Sequence, residues 1–199
     1  MLTRTNVLTL SRVSLAALMT LSLPLPLAVA QERDFAREAV TNLNAYAAFK
    51  MGKYDEAKKI WEGLAEKGNT TALLNLANMF QQGQGVSQDD REAHELVEKA
   101  AALGDPRAQY ELGMAYEKGH VVDRDIAQAA KWLKKSADQD YADGQFAYGV
   151  MLATARGQGL DKSSRQLRQQ AIELLLKAKA GGHLEAGDYI ETIRSSLED

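Results

Sequence analysis

Apolar residues recur along this chain at helical spacings of three and four, and glycine-containing turns interrupt them. Strand-like alternation is nearly absent, so the pattern predicts helix after helix. A 36-residue unit is written twice in succession, as Ala72–Arg107 and Ala108–Asp143. Eight positions are identical between the copies: Ala72/Ala108, Leu76/Leu112, Gly83/Gly119, Val86/Val122, Asp89/Asp125, Ala93/Ala129, Lys99/Lys135 and Ala101/Ala137. A fixed period of this length marks stacked repeats. The first helix is expected over Asp34–Lys50, with Ala36, Ala39, Val40, Leu43 and Ala47 facing inward. A tight turn at Gly52-Lys53-Tyr54 then leads to a helix capped by Asp55, which buries Ala57, Trp61 and Leu64.

The second unit sets the pattern for the rest. Helix A over Thr71–Gln82 carries Leu73, Leu76 and Phe80, with Ala77 small enough to admit the facing helix. Gly83-Gln84-Gly85 turns the chain, since glycine reaches positive φ without steric cost. Asp89 and Glu92 read as a capping box for helix B, and Asp125 and Gln128 repeat it. Helix B presents Ala93, Val97 and Ala100, then Ala129, Leu133 and Ala137. Asp105-Pro106 opens the third unit with an N-cap acid and proline at the first helical position. Asp140 stands where the other units have Gly68, Gly104 and Gly182, so a left-handed conformation there would be strained. A fourth unit begins at Gly144. Its turn, with Gly157-Gln158-Gly159 and a Ser163/Gln166 capping box, stretches the period to 42. A last helix over 186–197 uses Ala186, Tyr189, Ile190, Ile193 and Leu197 to cover the fourth hairpin, and Glu191 suits a face with nothing packed beyond it. The units fall at about 36–71, 72–107, 108–143 and 144–185, with 186–197 as a capping helix.

Composition adds a compartment. Arg4 and Arg12 precede the apolar run Val13–Leu23, and Ala28-Val29-Ala30 supplies small residues for cleavage, so residues 1–30 read as a signal peptide. Pro24 and Pro26 argue against an uncleaved spanning helix. The mature chain, 31–199, is expected to be one helical-repeat domain in the periplasm or secreted, touching membrane only through the signal peptide if it stays uncleaved. The whole chain has a net charge of −3, and loss of the two leader arginines takes it to −5. That balance gives no support to nucleic-acid binding, which needs a basic stripe. The chain has no cysteine, which removes disulfides, thiol chemistry and Cys-based metal sites.

Leu112-Gly113, Tyr116, Gly119, Val122, Asp125, Ala129, Trp132 and Lys135-Ser136-Ala137 together resemble a Sel-1-like repeat, a relative of the tetratricopeptide repeat with a longer turn inside the hairpin. The second unit carries the same resemblance through Gly83-Gln84-Gly85-Val86, Asp89, Ala93 and Lys99-Ala100-Ala101. The resemblance implies an all-α, right-handed α-solenoid of stacked antiparallel hairpins with a C-terminal capping helix. It also implies a non-catalytic adaptor without cofactor, of the exported bacterial type, acting in envelope signalling, host interaction or assembly of an envelope complex. The alternative is an envelope enzyme akin to the β-lactamase-like cysteine-rich members, whose paired cysteines this chain lacks. In such arrays helix A lines the concave face. Two rows in the repeat register, Leu74/Tyr110/Phe146 and Asn78/Met114/Val150, are therefore the expected contact positions for another protein or peptide. The same rows would equally serve a superhelix that buries them in its own core. Gln81, Gln82, Glu117 and Lys118 would form the rim.

Candidate chemistry is thin. His94 and Glu98 share a helix face, but the zincin pattern needs a second His at position 98. His120 and His183 lie elsewhere, and no metal site is expected. Neither Gly-Gln-Gly turn follows a strand or precedes a Walker lysine. Ser-x-x-Lys and Gly-x-Ser-x-Gly are both absent from the sequence.

Overall fold

The structure, a computed structural model, describes residues 25–154 and 164–198. The helices among them are α1 (Leu25–Lys50), α2 (Tyr54–Ala65), α3 (Thr70–Gln82), α4 (Asp90–Ala102), α5 (Pro106–Lys118), α6 (Ile126–Ala137), α7 (Ala142–Ala153), α8 (Ser164–Ala180) and α9 (Ala186–Glu198). No strand occurs among the described residues. The chain divides into residues 1–40 and residues 41–199, and the hairpin array lies in the second. Consecutive helices pack as antiparallel hairpins, and α5 and α7 also meet across units, as do α7 and α9. The all-α solenoid expected from the repeat is the observed fold.

The repeat's own chemistry sets the helix ends. Asn69, Asp105 and Asp125 each accept one backbone N–H in the first turn that follows, and Asp89 accepts two. The capping boxes are only half formed. The N–H of Asp89 donates to Phe80 O and that of Asp125 to Tyr116 O, so the backbone of helix A takes the donor that Glu92 and Gln128 were expected to satisfy. Asp55 does not cap α2. It lies inside the first turn, and Lys53 at the N-cap offers no side-chain bond. Asp140 takes the left-handed conformation, with φ 58°. Its carboxylate accepts from Gln145 Nε2 at 2.9 Å, which ties the strained residue to a buried amide. The turn at 157–159 and the cap at Ser163 lie outside the described residues.

The first helix corrects the sequence reading most. It begins at Leu25 rather than Asp34. The expected inner face (Ala36, Ala39, Val40, Leu43, Ala47) is exposed throughout, with Val40 at 57% and Leu43 at 66%. Ala45 and Ala48 point inward instead, at 0% and 2%, within the cluster that holds Ala57, Trp61 and Leu64. The cause is size. Phe49 packs on both Tyr54 and Trp61, and a helix that close to an indole needs small side chains at the contact. Hydrophobicity ranked the wrong stripe higher. When α1 and α3 are aligned at their C-terminal ends, Ala45 falls on Ala77, the small position of the regular unit.

Further along, Ala129, Leu133 and Met151 form one buried cluster, and Leu152, Leu167, Ala171, Leu175, Ala178, Ala186, Ile190 and Ile193 another. Tyr189 of α9 departs from its expected inward place and is 41% exposed. Glu191 is exposed, as its polarity suggested.

Candidate functional site

The helix-A rows do not form a single continuous stripe. Leu74 is 5% exposed and sits in the core, so for this residue the burial alternative holds. Tyr110 and Phe146, its equivalents, are half-buried, and each meets a ring at the start of the next unit. Tyr110 lies 5.9 Å from the ring of Tyr141, and Phe146 stacks on His183 at 3.8 Å with Tyr189 edge-on at 5.2 Å. Tyr141 and His183 follow the left-handed residues Asp140 and Gly182, the place held earlier by Asn69 and Asp105. Side-chain capping has been exchanged there for ring packing, and Tyr141 makes no cap bond. Phe146 and Val150 thus pack against the C-terminal core cluster.

Asn78, Tyr110 and Met114 do come together. They line an open cleft of about 600 Å³ between α3, α4 and α5, with Gln81, His94, Glu111 and Lys118 around it. Asn78 also borders a second hollow of about 210 Å³, whose other walls are Tyr46, Phe49, Lys50, Trp61, Asn75 and Gln82. One amide therefore joins two recesses into a groove running from α1 across α3 to α5. The Nε1 of Trp61 is buried without a hydrogen-bond partner, a donor that normally finds an acceptor. Of the expected rim, Gln81 and Lys118 border the larger cleft and Gln82 the smaller, while Glu117 borders neither.

Sequence reading missed Tyr46, Phe49, Lys50 and Asn75. Tyr46 falls on Asn78 once α1 and α3 are aligned at their C-terminal ends, but the shorter first turn hides that register from a count of 36. Electrostatics sharpen the third unit. Burial, the hydrogen bond to Asp143 and that carboxylate's charge push the Tyr141 phenol up to about 12. The phenol donates to Asp143 Oδ2 at 3.1 Å. Burial first, then Asp143, also raises Tyr110 above the ordinary phenol value. Both rings thus stay neutral donors over the physiological range. His94 borders the larger cleft. Among the described residues no group of three or more His, Asp or Glu side chains is placed to hold a metal ion. No described helix is long and apolar enough to cross a membrane.

Stacked antiparallel hairpins with an open groove along their A helices define a helical-repeat scaffold. Residues 70–105, 106–141 and 142–183 match the Sel1 repeat, more than half of the chain, and the chain belongs to the Sel1 repeat family. Proteins of this family generally mediate protein–protein interaction and are typically non-catalytic. A Sel1 repeat protein from Oxalobacter formigenes has a similar structure, with 33% identity and a TM-score of 0.63, over 69% of this chain and 38% of that one. A protective antigen of uropathogenic Escherichia coli with the same fold is 27% identical with a TM-score of 0.65, over 80% of this chain and 34% of that one. Two exopolysaccharide production negative regulators, from Rhizobium leguminosarum bv. viciae and Rhizobium meliloti, are 41% and 39% identical over 59 residues. Those 59 residues span 30% of this chain and 22% of each regulator.

Proposed function

We propose that this chain is an exported, non-catalytic scaffold that recruits a protein partner along the groove from Tyr46 past Asn78 to Met114. The make-up of the groove carries this reading. Aromatic walls and a flexible methionine alternate with the amides of Asn75, Asn78, Gln81 and Gln82, and a buried indole N–H lies unpaired beside them. Amides donate to and accept from a peptide backbone, while rings and methionine supply adaptable apolar contact. The partner is an extended or helical protein segment with exposed backbone or amide groups. The leader-like segment supports work in the periplasm or outside the cell, in envelope signalling, host interaction or assembly. The short match to the exopolysaccharide regulators favours a regulatory task among these.

Site-specific photo-crosslinking in the native host tests the groove. Benzoylphenylalanine at Asn75 or at Met114 is expected to trap the same partner, and at exposed Arg194 to trap none. Absence of adducts from both groove positions, in protein with unchanged helicity, refutes the assignment. N-terminal sequencing of the mature protein is expected to begin at Gln31, recovery of intact Met1 refutes cleavage there, and recovery of the protein in the cytoplasmic fraction alone refutes export.

A further inference from the structure

The opposite side of the array holds a second groove. Between α2, α3 and α4 an open hollow of about 450 Å³ is floored by Ala65, Leu73 and Leu76, with Phe80 and Leu96 half-buried on its walls. Four charged side chains edge it: Glu62, Glu66, Glu92 and Lys99. Glu62 pairs with Lys58, whereas Glu66 and Glu92 are exposed and in no ion pair among the described residues.

The repeat supplies its own comparison, because every position has an equivalent one unit later. Leu96 becomes Trp132, a half-buried indole that packs against the N-terminal core cluster, with the Lys135 ammonium 4.0 Å from its ring centre. Lys135 is itself the equivalent of Lys99. Over the same step Glu66 becomes Ala102 and Glu92 becomes Gln128, while Glu62 remains an acid as Glu98. The first junction thus has a smaller side chain where the next has an indole, and two more carboxylates where the next has neutral groups. Both differences point to the same occupant. An aromatic side chain from outside would take the place that Trp132 takes from within, and basic neighbours would pair with the added carboxylates of Glu66 and Glu92.

We propose that this groove docks a basic protein segment that inserts one bulky aromatic side chain between α2 and α4. The site opens between α2 and α4 and shares no lining residue with the Tyr46–Met114 groove, so one scaffold has room for two segments. Charge attraction brings the segment in and the half-buried walls, Phe80 and Leu96, hold its anchor, so binding weakens steeply with salt.

The full mature chain, with fluorescence anisotropy of labelled peptides, tests this. The probe is Lys-Lys-Trp-Lys-Lys, with Lys-Lys-Ala-Lys-Lys and Glu-Glu-Trp-Glu-Glu as comparisons. The first is expected to bind at least tenfold more tightly than either. Leu96→Trp, which fills the hollow from within, is expected to weaken it at least fivefold. Glu66→Lys/Glu92→Lys, an exposed pair with no packing to disturb, is expected to do the same and settles the matter should Leu96→Trp fail to fold. Asp188→Asn, a carboxylate lost from α9, is expected to leave binding unchanged. Equal binding of the three peptides, or undiminished binding by a folded Leu96→Trp or by the charge-reversed pair, overturns the proposal. Neither result bears on photo-crosslinking from Asn75 and Met114.

Discussion

Gly144→Ala and Gly63→Ala are the same substitution in two helices, and the structure gives them opposite signs. Gly63 lies within α2, exposed, and a Cβ built there meets nothing within 4 Å. Alanine at such a helix position is worth about 0.5–1 kcal/mol, chiefly from unfolded-state entropy. Gly144 lies in the first turn of α7 against α6. A Cβ there falls 2.2 Å from Ser136 Oγ, 2.7 Å from Ser136 Cβ and 3.1 Å from the backbone N of Ala137. Ser136 is fully buried, and its hydroxyl donates to Pro106 O at 2.6 Å, so it has little room to retreat. Overpacking costs about 1–3 kcal/mol, and a displaced Ser136 forfeits a hydrogen bond worth about 1 kcal/mol. The helical gain offsets roughly 1 kcal/mol of this. The net loss is about 2 kcal/mol, or about 4–8 °C in Tm for a chain of this size. One unit earlier the equivalent pair is Ala100 and Ala108, both fully buried. Ser136→Ala/Gly144→Ala copies that pair and removes the worst contact while leaving the Cβ approach. It is expected to recover about 1 kcal/mol relative to the sum of its single variants, a coupling that a mutant cycle reads directly. Thermal and urea melts followed by circular dichroism at 222 nm measure the four proteins of the cycle and Gly63→Ala. A Tm for Gly144→Ala equal to or above wild type refutes the packing argument, as does a lowered Tm for Gly63→Ala.

Asp140→Gly matches the other junctions but is expected to lower stability by about 1 kcal/mol in urea denaturation. Relief of left-handed strain is outweighed by the buried Gln145 amide it strands, and a gain in stability refutes this. Leu43→Ser is expected to change stability by less than about 0.5 kcal/mol, because Leu43 is exposed, whereas Ala45→Leu costs about 1–3 kcal/mol. The reverse order in thermal melts would restore the face that hydrophobicity favoured. Tyr141 is held neutral in the folded chain up to about 12, above the ordinary phenol value of 10.0. Its contribution to stability is therefore complete below pH 10 and falls as pH rises towards 12. Tyr141→Phe should flatten that alkaline loss in melts taken from pH 9 to 12, and an unchanged slope counts against it.

The middle of the array was legible because its signals agree. Asp89, Asp105 and Asp125 cap where their chemistry says, and the pairs Ala93/Ala129 and Leu76/Leu112 recur in the core at the 36-residue period. Agreement among cap, turn and core face is what makes such a sequence readable. α1 was misread because its two faces compete, and only the presence of Trp61 on the neighbouring helix decides that small beats large. The groove was partly legible: Asn78, Tyr110 and Met114 came from counting 36, while Tyr46, Phe49 and Lys50 on α1 needed the length of the first turn. Leu74 could not be separated from Tyr110 by register, since burial depends on what the next unit places opposite.

The rings at the unit starts bear on the order in which the chain assembles. A side-chain cap such as Asn69 or Asp105 forms within its own first turn, so that helix can begin alone. Tyr141 and His183 offer no such local start, and their ring partners, Tyr110 and Phe146, sit on the A helix of the unit before. The later units are thus expected to order after their predecessors, so that the array grows from Asn69 toward the C-terminus.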